Sequence, residues 1–285
     1  MAIERYRARK GAEVPQAAAA AAAAPGGYTI DVEFLGGLTD KQKAAFKHAA
    51  NRWTRAITGD LPDVVVDGVT INNLRVTAQG TPIDGVGDIL GQAGPKRLRP
   101  QNAGAAAFLP ATGDMQFDTA DLASMEADGT LDDVITHEMG HVIGIGTVWK
   151  KKNLLKGSGT SNPTFVGANA MREYGKLRNA PGPLPVPVEN MGGPGTANSH
   201  WRDALFDAEL MTGIVNPGGN PMSRLTIASL QDLGYVVDMT AAQPYQLPDH
   251  LALAEAGVAA AHATLEARGM VLPIIPITLP DESLV

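Results

Sequence analysis

The chain has 285 residues, 44% of them hydrophobic, and no uninterrupted apolar run approaches the roughly 20 residues of a membrane span. Its 23 basic and 30 acidic side chains give a net charge of −7, which argues against a nucleic-acid partner, because such binders carry a basic footprint. Cysteine is absent, which excludes disulfides, a thiol nucleophile and a thiolate metal site, so any metal must be held by His, Asp or Glu.

Residues 1–27 read as a low-complexity N-terminal tail: a basic stretch from Arg5 to Lys10, then eight alanines from Ala17 to Ala24, closed by Pro25-Gly26-Gly27. Glu13, Pro15 and Gln16 interrupt what would otherwise resemble a signal peptide. From Tyr28 onward Tyr28, Ile30, Val32 and Phe34 alternate with polar residues, the period of a half-buried strand. In the helix that follows, Thr39 and Gln42 form a capping box and Phe46, Ala49, Ala50, Trp53 and Ile57 share a face. Gly59 is placed to end it, and His48 lies off the apolar face as a surface residue.

Short strands are expected at 64–66, 69–71, 74–76, 105–109 and 115–117, between Gly-rich and Pro-rich turns. A second helix begins at Thr130 as cap, carries Asp132 and Asp133 in its first turn, and stops at Gly144. Asp118, Asp121 and Asp128, just before it, suit turns and caps better than a second, structural cation. Residues 147–199, with Lys150-Lys151-Lys152, several prolines and Gly192-Gly193-Pro194-Gly195, read as a long ordered excursion whose lysines are solvated. A third helix spans 225–233 and ends at Gly234. The alanine-rich segment 249–268 reads as helical, with His250 and His262 on its surface, and leads into a Pro-rich tail.

The second helix contains Thr136-His137-Glu138-Met139-Gly140-His141. One turn of helix separates His137 from His141, so both imidazoles project from one face and can share a metal ion. Glu138 then points beside the ion, where a base acting on a bound water belongs. Gly144 supplies the positive φ with which the chain can turn under the metal. His-Glu-x-x-His-x-x-Gly opens the metzincin signature, but the position of that signature's third histidine is Thr147 here, so a third ligand must come from elsewhere.

His200 opens Ser199-His200-Trp201, and Glu209-Leu210-Met211 follows, with Met211 eleven positions after His200. This pattern resembles the leishmanolysin family of metzincin peptidases, in which a large insertion separates the glycine from the third histidine. The segments 113–118, 165–170, 186–190 and 230–235 are similar to the family as well. The resemblance implies an α+β metzincin-like fold with a twisted mixed sheet, an active-site helix and a loop-rich lower subdomain. It divides the chain into an upper catalytic subdomain at 28–144, a lower one at 145–240, and a C-terminal helix and Pro-rich tail at 241–285. It implies a zinc metalloendopeptidase in which one catalytic Zn²⁺ is held by His137, His141 and His200, with Glu138 as general base and Met211 as the methionine turn beneath the imidazoles. Its substrate is an extended protein or peptide paired with an edge strand, for which 105–109 is the nominee. Relatives are usually exported or extracellular, which the resemblance favours here, while the N-terminus offers no convincing signal peptide. The best-known members are cysteine-rich and carry a thiol-bearing prosegment, so their anchoring and zymogen control do not carry over to this cysteine-free chain. Two rivals stay open: a thermolysin-like zinc hydrolase with Glu173 as third ligand, and a non-catalytic binding module on a metzincin scaffold.

Overall fold

The computed structural model describes residues 3–10, 27–193, 195–216, 218–249 and 269–285. Apart from Asp249, the helix expected at 249–268, with His250 and His262, lies outside the described residues. The first strands and helix are β1 (Glu4–Arg9), β2 (Thr29–Gly36), α1 (Asp40–Ala56), β3 (Val64–Val66), β4 (Val69–Ile71) and β5 (Leu74–Thr81). Then come β6 (Ile89–Leu98), β7 (Pro110–Asp118), α2 (Thr119–Asp128) and α3 (Leu131–Ile143). After α3 the chain forms β8 (Leu155–Lys156), β9 (Thr164–Phe165), α4 (Ala168–Leu177), β10 (Val186–Pro187), α5 (Asp203–Phe206) and α6 (Arg224–Leu233). β11 (Met270–Pro273) and β12 (Ile277–Thr278) close the order.

The main sheet runs β1-β2-β5-β7-β6-β11, with β12 also on β6. Strands β2, β5 and β7 are parallel, β1 is antiparallel to β2 and β6 to β7, and β11 and β12 run parallel to β6. This is a mixed sheet of the kind expected. α1 packs on it through Phe46, Ala49, Ala50 and Trp53, all fully buried. Its capping box is present, with Thr39 accepting from Gln42 N and Gln42 accepting from Thr39 N. The indole Nε1 of Trp53 donates to Thr136 O at 2.9 Å, which ties α1 to the turn of α3 that bears His137.

Four expectations need correction. Residues 4–9 of the supposed tail form β1, where Arg5 faces Glu33 and Arg7 faces Asp31, so cross-strand opposite charges stabilise what looked like a basic run. α1 ends at Ala56 rather than Gly59, because Ile57 is already extended and bridges to Val237. Thr130 makes no side-chain cap; its hydroxyl donates to Asp128 instead. Residues 105–109 are no strand: Gly104–Ala106 is a 3-10 turn and Phe108 has a φ of +65°, so the segment links β6 to β7.

Candidate metal centre

α3 has the periodicity and the two aspartates that favour a helix start, and its C-terminal turn organises the site. Gly144 has a φ of +118°, in the left-handed region, and its amide bonds back to Gly140 and His141. That conformation returns the chain so that Ile145 O meets His141 Nδ1 at 2.9 Å. Two residues on, Gly146 has a φ of +74° and lies against the backbone carrying the next histidine: a Cβ there would stand 2.1 Å from Ser199 O. Gly146→Ala is expected to destabilise the fold by about 2 kcal/mol or more and to weaken metal retention, read as a lowered Tm and metal content.

His137, His141 and His200 come together at 4%, 7% and 6% exposure. Their Nε2 atoms form a triangle with sides of 3.1, 3.0 and 2.9 Å. Each Nδ1 instead faces a main-chain carbonyl: Leu210 O at 2.6 Å, Ile145 O at 2.9 Å and Thr196 O at 2.9 Å. A carbonyl oxygen only accepts, so each Nδ1 carries the proton and each Nε2 presents a bare lone pair. Burial, and for His137 also the neighbouring His141, holds His137 down at about 3; burial holds His141 at about 4, and His200 is pushed well below the ordinary value. Three neutral lone pairs converging in a buried place repel one another, and a cation between them removes that repulsion. The group can therefore hold one metal ion. The triangle is slightly tighter than the roughly 3.3 Å set by a tetrahedral ion with ligand bonds of about 2.0–2.1 Å.

These shifts have a consequence for the metal-free chain. An imidazole that stays neutral when folded but titrates near 6.5 when unfolded gives stability that is fully present above that value and is lost as pH falls. His137 and His141 are each expected to cost up to about 1.4 kcal/mol per pH unit from near 6.5 down toward 4, and His200 acts in the same direction. Urea midpoints of the chelated protein at pH 7, 6 and 5 check this, and a flat profile would contradict it.

Glu138 is 8% exposed and lines the same cavity as the three histidines, a space of about 1580 Å³. Burial pushes its carboxyl up to about 8. A divalent cation at the three Nε2 atoms acts in the opposite direction. Glu173 is elsewhere: its carboxylate pairs with Lys176 at 2.7 Å and Arg224 at 3.0 Å, outside the cavity.

The leishmanolysin family model matches residues 105–249, a stretch that holds all three histidines, Glu138 and Met211. The chain belongs to the leishmanolysin family. It is accordingly a metallopeptidase whose substrates are proteins or peptides, in a family of zinc enzymes. No curated protein matches the chain. Among the described residues no helix is long and apolar enough to cross a membrane.

Within this leishmanolysin-family chain, Met211 is fully buried, and a Cβ on Gly140, in the turn between His137 and His141, would stand 2.8 Å from its Sδ. A residue with no expected role fixes the chain around Met211. Glu209, fully buried, accepts from Met211 N at 2.7 Å, from Ser223 N and Oγ at 3.1 and 2.5 Å, and from Thr226 Oγ1 at 2.6 Å. It thereby pins the chain on either side of Leu210, whose carbonyl orients His137. Nothing local in the sequence marks Glu209, because its burial and its donors at Met211 and at the start of α6 arise only in the fold. His200 is held likewise, its carbonyl accepting from Glu189 N at 2.9 Å. The aspartates before α3 are structural: Asp118 accepts from Ala120 N and Asp84 N, Asp121 from Gly87 N, and Asp128 from Thr130. His48 is exposed beside Asp132.

Proposed function

We propose that this leishmanolysin-family protein is a zinc endopeptidase whose ion is held by His137, His141 and His200 through Nε2. The observation that supports this most is the set of three buried imidazoles whose Nδ1 atoms each face a main-chain carbonyl and whose Nε2 atoms face one another. Neutral nitrogen donors in a closed trio, leaving a further position for solvent, suit Zn²⁺. When bound, such an ion lowers the pKa of water and polarises the scissile carbonyl.

The protein's own contribution is proton handling and positioning. Glu138, in the same cavity, takes the proton of the attacking water on a carboxylate oxygen and delivers it to the departing amine. The carbonyls of Leu210, Ile145 and Thr196 keep the three rings in the required tautomer and orientation, as outer partners of metal-bound histidines do. Met211 and Gly144 act as floor and turn, so that residues before 144 supply two ligands and residues after 145 supply the third.

Hydrolysis of casein that is abolished by chelation and restored by added Zn²⁺ is the expected result. A well-folded, zinc-loaded protein without such activity would instead favour a non-catalytic module on this scaffold.

A further inference from the structure

The outer edge of β6 forms a wall of the cavity that holds the histidines, and the chain's own C-terminal segment fills that edge. β11 pairs parallel to β6, with Val271 opposite Gly91, Leu272 opposite Gln92 and Pro273 opposite Ala93, and β12 continues along Arg97 and Leu98. Met270, Val271, Pro273 and Ile274 line the same cavity as Glu138 and His200. On the other side, a Cβ on Gly195 would stand 3.4 Å from Pro273 Cδ and 3.5 Å from Val271 O. The segment therefore passes between β6 and the loop that delivers His200.

An extended peptide entering this cavity gains main-chain partners by adding to a sheet edge. The outer edge of β6 has one row of amide and carbonyl groups and cannot serve two strands at once. We propose that residues 269–278 form a displaceable strap that occupies the peptide-accepting edge of β6 and exchanges with the extended substrate; this rests on the peptidase reading above.

The strap is built to be weak along its length and firm at its end. No residue of β11 is fully buried, Ile275 is 90% exposed, and the register breaks between Met270 and Val271. Pro273 and Pro276 have no amide to donate. Beyond it the chain is tied down by Leu279 N to Leu98 O at 2.8 Å, Val285 N to Asp63 O at 3.1 Å and the bridge of Leu284 to Val64. A tethered strand competes at high effective concentration, so even a poor one excludes weak peptides.

The absence of cysteine makes the test clean. In the full zinc-loaded chain carrying Glu138→Gln to prevent cleavage, Gln92→Cys with Leu272→Cys allows a single disulfide across facing residues. A fluorescent peptide of sequence 269–278 with Pro273 and Pro276 replaced by Ala, which restores two backbone donors that the strap lacks and so outpairs it, is expected to bind the reduced form at least tenfold more tightly than the oxidised form, with full recovery on reduction. Equal binding to both forms, or no binding to the reduced one, overturns the proposal. Leu272→Pro alone, which removes an amide from the strap, is expected to tighten peptide binding several-fold, and unchanged or weaker binding also counts against it. With Glu138 restored, casein hydrolysis should follow the same redox switch. Switching of peptide binding with no hydrolysis in either form would sink the peptidase reading and leave the strap intact.

Discussion

Glu138→Gln is expected to leave the protein folded and metal-loaded while lowering kcat by roughly 10²–10⁴, the range that general acid–base catalysis contributes. The substitution preserves the size and shape of the side chain and removes only its capacity to take and return a proton. Glu138 follows His137 directly on α3, so its side chain leaves the helix about a quarter-turn from the two histidines and opens into the cavity without joining the nitrogen triangle. Its burial favours the neutral acid, whereas a nearby divalent cation favours the carboxylate. Together those opposing influences would leave the group able both to accept and to release a proton near neutral pH. KM should stay nearly constant, because the proton transfer is made only in the transition state. Metal content and Tm equal to those of the parent, with kcat within tenfold of it, would remove Glu138 from the proton-transfer role.

Much of the site was legible because its pattern is local. Two histidines one turn apart, the acid between them and the glycine that stops the helix all lie within eight residues, and the helix they predict is the one observed at Leu131–Ile143. His200 was legible only through resemblance. Its place depends on Gly146 lying against Ser199 and on Glu189 bonding to His200 O, contacts between segments far apart in sequence. β6 was not read as a strand at all, since Gly91, Gly94, Pro95 and Lys96 break any alternation, and it becomes a strand by pairing with β7 on one side and the C-terminal segment on the other. The misplaced substrate edge at 105–109 has the same origin: an apolar run carries no information about whether a partner strand lies beside it. β1 was hidden for the opposite reason, Arg5 and Arg7 being paired with acids on β2. The lysine run at 150–152 is similar, for Lys151 bonds Thr278 and Lys152 bonds Ala105 O, so two of the three hold neighbouring segments in place.

The proposed third ligand gives the second large effect. His200→Ala is expected to lower metal affinity by more than the 10–100-fold that losing an outer partner of a ligand costs, because it removes one corner of the nitrogen triangle itself. The remaining pair, His137 and His141, is separated by 3.0 Å and still shares a helix face, but two imidazoles leave the ion open to solvent and to competing chelators. Activity should fall with metal content and return in part only at high added Zn²⁺. Glu173→Ala is the matched control, since it breaks exposed ion pairs with Lys176 and Arg224 that are worth about 0–1 kcal/mol and touches nothing in the cavity. Its metal content and kcat should equal those of the parent. Full metal retention in the His200 variant with loss in the Glu173 variant would reverse the assignment and require α4 to move toward α3, a rearrangement that the bonds of Asp232 to Asn169 N and Ala170 N at the start of α4 oppose.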